Sequence, residues 1–239
     1  MSRYRDLLSP LRAAVDDYGM IAEGDRVAVG VSGGKDSVAL LVLLARLRRF
    51  YPNAFTLTAI TLDPVFDGVQ GDYGAIERLC EQLEVPYVLK RTGLWDAVKQ
   101  HGEAEKPCSL CARMRRGTLH RVAVEEGCNV VALGHHQDDA AETLMMNLLS
   151  GATVSCFSPK SELDRRGLTL IRPLVYIEER ELAAFVRREG LPTVISRCPV
   201  DGCTGRQGMK DELHRLSETY GDVNHKLVAA LKKGGISGW

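Results

Sequence analysis

Apolar positions recur with two different periods along this chain, and the switches between them set out its elements. Positions 12–21 carry apolar residues at helical spacing, and so do 36–49, through Val38, Leu40, Leu41, Leu44 and Leu47. Between them Gly24-Asp25 breaks the chain, and 26–31 is a short apolar run suited to a buried strand. The same logic predicts strands over 55–62, 86–89 and 130–133, and helices over 73–83, 109–126 and 138–149. Strand and helix in alternation require a parallel sheet covered on both faces. The expected fold is therefore α/β, a doubly wound, Rossmann-like parallel sheet.

After Gly151 the pattern loosens. One more strand is expected over 168–173 and a helix over 178–190, while 192–208, rich in Pro, Gly and Cys, reads as a loop and 211–233 as one helix. The expected organisation is an N-terminal helix over 1–20, the main α/β domain over 21–155, and a small helical C-terminal extension over 156–239.

Composition narrows the class. An apolar fraction of 45% and a charged fraction of 26% are ordinary for a soluble domain. No apolar run reaches the ~18 residues that cross a bilayer, and the start, Met1-Ser2-Arg3-Tyr4-Arg5-Asp6, lacks an apolar signal core. A cytoplasmic protein without membrane contact is the expectation. Lys plus Arg equals Asp plus Glu, 31 each, so any nucleic-acid binding needs local basic patches instead of a global field. The seven Cys are odd in number and follow no signal segment, which argues against a disulfide framework.

Candidate chemistry begins at Gly30-Val31-Ser32-Gly33-Gly34-Lys35-Asp36-Ser37, between an apolar strand and an apolar-periodic helix. Glycines let a backbone approach an anion closely, and the first amides of the helix then point at it with the helix dipole behind them. Ser32 and Ser37 add hydroxyl donors and Lys35 a charge. The spacing is neither the Walker pattern nor the dinucleotide fingerprint. A second strand-to-helix junction, Gly134-His135-His136-Gln137-Asp138-Asp139, puts two carboxylates where magnesium beside phosphates would be held; the plainer reading makes Asp138 a helix cap. Thr143 lies one helical turn beyond Asp139.

Cys108-x-x-Cys111 opens a helix, where thiols are expected to have lowered pKa, and Cys198 and Cys203 form a second pair in the late loop. The spacing admits a structural zinc, a redox dithiol or an iron–sulfur cluster. Cys80, Cys128 and Cys156 stand apart and read as small buried hydrophobes. Arg113, Arg115, Arg116 and Arg121 share the helix of the first pair, with Arg115 one turn above Cys111.

Ser-Gly-Gly-x-Asp-Ser after a strand resembles the signature of the PP-loop ATP pyrophosphatases. Residues 14–27, the segment from Cys108 to Gly117, Ala132-Leu133-Gly134-His135-His136-Gln137-Asp138-Asp139 and Ile171-Arg172-Pro173-Leu174 are similar to the tRNA 2-thiocytidine synthetase group of that family. The likeness runs from about residue 12 to 185 and blurs after Pro192. It implies ATP and Mg2+, a carbonyl oxygen activated by AMP transfer with loss of pyrophosphate, and displacement of AMP by sulfur. It also implies a [4Fe–4S] cluster on three Cys with one iron open. Cys108 and Cys111 match the first two ligands, and Cys198-Pro199 resembles the third in related thiouridine enzymes. Cys203 departs from that pattern, as an alternative or an additional ligand. Catalytic roles fall to Lys35, Asp138 and Asp139. Arg115 stands where relatives have a Lys, and an arginine serves for charge stabilisation and not as a base. Leu62 and Asp63, at the end of the second strand, lie beside the expected adenine edge, where backbone groups read the base, and Gly134 and His135 join them as cofactor-binding residues. The implied partners are tRNA, a sulfur donor (sulfide, or a desulfurase or carrier protein) and a second copy in a homodimer. Three alternatives stay open: the same chemistry on a small molecule or free base, an amide- or lysidine-type ligase with a structural zinc, and a nucleotide sensor.

Overall fold

The computed structural model describes residues 7–101, 107–163, 167–195, 197–199 and 205–239. Helix α1 (Leu8–Asp17) leads into β1 (Arg26–Gly30), α2 (Lys35–Leu47), β2 (Thr56–Asp63), α3 (Gly74–Gln82) and β3 (Tyr87–Arg91). Then come α4 (Leu94–His101), α5 (Pro107–Glu125), β4 (Val130–Ala132), α6 (Gln137–Gly151), β5 (Lys160–Leu163) and β6 (Leu168–Ile171). Helices α7 (Glu179–Arg188), α8 (Gly205–Tyr220) and α9 (Val223–Gly234) follow.

The strands form one sheet in the order β3-β2-β1-β4-β6-β5. All neighbours are parallel except β5 on β6. Alternate residues of each strand feed two cores. Val27, Val29, Val130 and Ala132 face the larger one, with α1, α2 and α7, while Ala28, Ile60, Val131 and Leu170 face α5 through Leu119, Val122 and Ala123. Strand order runs outward in both directions from β1 and β4, so the crevice at their C-terminal ends is the topological switch point where open α/β sheets bind ligands.

The structure departs from the sequence expectations in four places. The sheet is not wholly parallel: β5, not foreseen, is a short antiparallel edge strand of mixed polarity. Helix α4 was also missed, being one short stretch that buries Leu94, Trp95 and Val98. The single C-terminal helix is two, broken at Gly221, whose φ of +72° no helix continues. Finally, the late loop ends early, since α8 begins at Gly205. β5 and β6, beyond residue 155, lie in the same sheet as β1–β4. Among the described residues no helix is long and apolar enough to cross a membrane.

Candidate active site

The loop after β1 is built to leave amides exposed to an anion. Gly33 adopts φ +88°, and α2 starts at Lys35 behind Gly34, with no side chain capping its first amides. Ser32 and Ser37 close the loop internally. The Ser37 hydroxyl donates to the Gly34 carbonyl at 2.9 Å and accepts from the Ser32 amide at 3.1 Å. The Ser32 Oγ accepts from the Gly34 amide at 3.3 Å. One oxygen of Asp36, Oδ1, is buried without a hydrogen-bond partner.

Lys35 is not directed at open space. Its Nζ donates to Asp36 at 3.0 Å and to Glu179, at the start of α7, at 2.8 Å. Burial pulls this ammonium down, but Glu179 and Asp36 outweigh it and hold it above its usual value. Glu179 also accepts from Lys210 of α8. Burial works to raise the Glu179 carboxyl, yet its two lysines bring it down to about 2.

The loop after β4 packs on the first. A Cβ on Gly134 would stand 3.2 Å from the backbone of Asp36 and Ser37, so this close approach needs glycine. The cap of α6 is His136, not Asp138: the Asp139 amide donates to the imidazole, and the Asp139 carboxylate accepts from the His136 amide at 3.0 Å. Asp138 instead ties three elements. It accepts from the Glu179 amide at 2.7 Å and from Asn224 of α9 at 2.8 Å. Asp139 pairs with Arg206 of α8, which also donates to Thr143 at 3.3 Å. Beside them Glu142 is buried, and that burial pushes its carboxyl up to about 7 against the pull of Arg206.

Two cavities open from these loops. One, of about 340 Å3, lies between the strand ends and α5, lined by Gly30, Val31, Leu62, Leu133 and His135, with Arg115 and Arg116 across it. The parity of β2 fixes what Leu62 offers. Ile60 bonds Val31 of the neighbouring chain segment and Asp63 bonds Thr92 on the opposite side, so the N–H and C=O of Leu62 point past the end of β1. His135 has Nδ1 buried without a hydrogen-bond partner, and burial lowers its imidazole to about 4, leaving it neutral near pH 7. Asp63 is turned away from this space. Its oxygens accept from the amides of Val65 at 3.0 Å and Gly71 at 2.9 Å, organising the loop after β2.

The second cavity, of about 200 Å3, is lined by Ser32 and Gly34 of the phosphate loop together with Tyr73, Arg115, Arg197 and Cys198. Cys108 and Cys111 stand in the first two turns of α5. Cys111 lies within the electrostatic reach of Arg115, Cys198 and Cys108. Its thiol does not follow the lowering expected at a helix start: burial raises it, and the pull of Arg115 does not compensate. Among the described residues no three Cys, His, Asp or Glu close at the spacing of single-ion ligands. Ligands of a cluster sit on different irons and stand farther apart. Cys80 and Cys128 are buried, as expected, and Cys156 is half-buried with Sγ against the Ala140 carbonyl. Cys203 lies outside the described residues. Glu179, Arg206, Lys210 and Asn224 carried no sequence signal, since each reaches the site across a long stretch of chain, and Glu142 sits one turn into the helix that the second motif opens.

A Gly- and Ser-rich turn from a central parallel strand into a helix, at the point where strand order reverses, defines a nucleotide-binding α/β protein. Residues 6–196 match the PP-loop domain family, and the chain belongs to it. It is 40% identical over 235 residues to the tRNA-cytidine(32) 2-sulfurtransferase of Geobacter metallireducens and 39% identical over 235 residues to that of Geobacter sulfurreducens. Each alignment covers 96% of this chain and 90% of the relative. Among solved structures it is similar to the U34-tRNA thiolase NcsA from Methanococcus maripaludis with its [4Fe-4S] cluster, at TM-score 0.76 and 24% identity, over 94% of this chain and 77% of that one. At that identity the likeness speaks for the fold.

Proposed function

We propose that the protein is an ATP-dependent sulfurtransferase that replaces O2 of a tRNA cytidine with sulfur, at position 32 as in the names of its relatives. One observation carries the reading: a single cavity joins the phosphate loop at Ser32 and Gly34 to Cys198 and Arg115. Adenylation and sulfur delivery need to meet at one carbon, and this cavity is where they meet.

ATP fits the larger cavity, with its adenine against the outward backbone groups of Leu62 and its phosphates on the uncapped amides at the start of α2. The orphaned Asp36 Oδ1 suits Mg2+ beside those phosphates. Asp138 and Asp139, first read as magnesium ligands, spend their oxygens on Glu179, Asn224, His136 and Arg206 and act by holding the second loop in place. The cytidine O2 attacks the α-phosphorus, pyrophosphate leaves, and sulfur then displaces AMP at C2. Arg115 lies across both cavities and offsets the negative charge that develops on the oxygens in flight. Lys35 serves the phosphates by exchanging its carboxylate partners for them.

Cys108, Cys111 and Cys198 suit a [4Fe–4S] cluster: Cys108 and Cys198, the latter 87 residues further along the chain, both act on Cys111 electrostatically, and Cys198 lines the cavity that Arg115 shares. Such a cluster with one iron open would supply a site that holds the sulfur to be transferred. Arg115 and Arg116 give the local positive surface that an electroneutral chain needs near RNA. A tRNA substrate also implies a cytoplasmic location, and sulfide or a desulfurase or carrier protein as the sulfur source.

Mass spectrometry of tRNA nucleosides tests the reading. A strain lacking the gene should lose 2-thiocytidine, regain it with the wild-type gene, and fail to regain it with Cys198→Ser. Unchanged thionucleoside content in the deletion strain removes tRNA as the substrate and leaves thiolation of a free base in its place.

A further inference from the structure

The loop between β2 and α3 is held in one shape by an unusual number of fastenings. Val65, Asp67 and Gly68 adopt φ of +52°, +49° and +78°, and a β-branched valine enters that region only under constraint. The constraints are visible. Asp63 takes the amides of Val65 and Gly71, and the Val69 amide donates to the Phe66 carbonyl at 2.9 Å. Asp67 accepts from Trp95 and from Lys99 of α4, both at 2.9 Å. Phe66 meets the Trp95 ring edge to face at 5.3 Å. Helix α4 thus braces the loop from behind.

The braced loop gives an apolar, aromatic lining to the second cavity through Phe66, Val69 and Tyr73, and Ile195 joins them there. Val69 and Ile195 are 50% and 88% exposed, so the cavity carries hydrocarbon surface that folding leaves in water. Tyr73 stands against the phosphate loop. A Cβ on Gly71 would fall 2.6 Å from its ring, and one on Gly33 would fall 3.6 Å from it. Among the described residues the Tyr73 hydroxyl has no hydrogen-bond partner, and burial raises it, so it keeps its proton. Arg197, exposed beside them, donates to the Gln70 carbonyl of the loop at 3.4 Å.

We propose that this cavity receives the target pyrimidine turned out of the RNA stack, with Phe66, Val69, Tyr73 and Ile195 replacing its neighbouring bases and the Tyr73 hydroxyl bonding its edge. The inference rests on the function proposed above and names where that substrate's base sits. Enzymes that do chemistry on a base take it out of the stack and repay the lost stacking with aromatic and apolar contacts. A cavity of about 200 Å3 has room for about seven waters, enough for one pyrimidine ring. Ser32, Gly34 and Cys198 line the same cavity, so a base held there meets both the activating nucleotide and the sulfur. Arg115 and Arg197 offer positive charge to the flanking phosphates.

Transfer RNA carrying 5-iodocytidine at position 32, irradiated on full-length, cluster-loaded protein, tests the proposal by crosslinking to the side chains that touch the base. The crosslinked peptide should carry Phe66 or Tyr73. Steady-state thiolation gives the second readout. Val69→Ser combined with Ile195→Ser should lower kcat/KM for tRNA about tenfold, chiefly through KM, as loss of base stacking does. Affinity for a non-hydrolysable ATP analogue, by calorimetry, should stay within about twofold of wild type, since neither side chain serves the phosphates. Tyr73→Phe keeps the ring and should cost about fivefold in kcat/KM, the worth of one hydrogen bond. Crosslinks that fall wholly outside residues 64–73 and 194–198 overturn the proposal, and that result needs no variant to fold. Wild-type kcat/KM in both variants overturns it too, as does a loss of analogue affinity that matches the loss of thiolation. Wild-type protein that leaves tRNA unthiolated strikes the function proposed above, and the base site falls with it.

Discussion

Replacing Gly33 by Ala tests how the phosphate loop is held. Two costs are visible in the structure. At φ +88° an L-residue is strained by about 1–2 kcal/mol. The new methyl would also stand 2.7 Å from the Val194 Cβ and 3.0 Å from its Cγ2. Those atoms sit next to backbone and cannot swing aside, and overpacking of this kind costs about 1–3 kcal/mol. The sum, about 2–5 kcal/mol, should lower the melting temperature by about 4–20 °C for a chain of this length. Relief can come only by displacing the loop, so the amides lose their aim and affinity for an ATP analogue should fall at least about tenfold, or ~1.4 kcal/mol. Thermal unfolding and calorimetry read the two effects. Val194→Gly in the same background removes both clashing atoms but leaves the dihedral strain, so a double-mutant cycle should return about 1–3 kcal/mol of favourable coupling. A Gly33→Ala protein within about 0.5 kcal/mol of wild type, with undiminished ATP affinity, refutes the reasoning.

Glu142 gives a pH signature. Its folded pKa, about 7 against an ordinary 4.5, means that the native state keeps a proton which the unfolded chain releases. That contribution is complete below the ordinary value and is lost as pH rises through about 7, so wild-type stability should fall between about pH 5 and about pH 8 by on the order of 1–3 kcal/mol. Glu142→Gln should flatten this portion of the curve, and an unaltered slope shows that Glu142 ionises normally. Asp63→Asn should leave the Val65 or Gly71 amide without its acceptor, at about 1–3 kcal/mol, and speed proteolysis of the loop after β2. Equal proteolysis rates would show that the carboxylate is dispensable there. Cys108→Ser should lose the broad thiolate–iron absorbance of anaerobically prepared protein while sparing pyrophosphate release, and an undiminished spectrum removes Cys108 from the ligand set.

What the sequence revealed and what it hid follow from the reach of the interactions. The phosphate loop was legible because strand, glycines and helix start are contiguous, and the central strands because burial on both faces writes unbroken apolar runs such as Val27-Ala28-Val29. β5 escaped because Lys160-Ser161-Glu162-Leu163 is an edge strand with one neighbour and no apolar alternation. Cys108 and Cys111 announced themselves by spacing, whereas the approach of Cys198 depends on a tertiary turn that periodicity does not encode. The second loop reads two ways for a chemical reason. Two adjacent acids at a helix start suit a metal equally well as they suit capping and ion pairing, and only the positions of His136, Glu179, Asn224 and Arg206 show that Asp138 and Asp139 are already engaged. Nothing local marks Arg206 or Lys210, whose partners lie at Asp139 and Glu179.

The oxygen that sulfur replaces has a definite destination if AMP is its carrier. Transfer RNA bearing oxygen-18 at O2 of the target cytidine, incubated anaerobically with cluster-loaded protein, ATP, Mg2+ and sulfide, should yield one labelled AMP for each thionucleoside formed. Thiolated product accompanied by unlabelled AMP, or formed without ATP, would contradict activation at the phosphate loop.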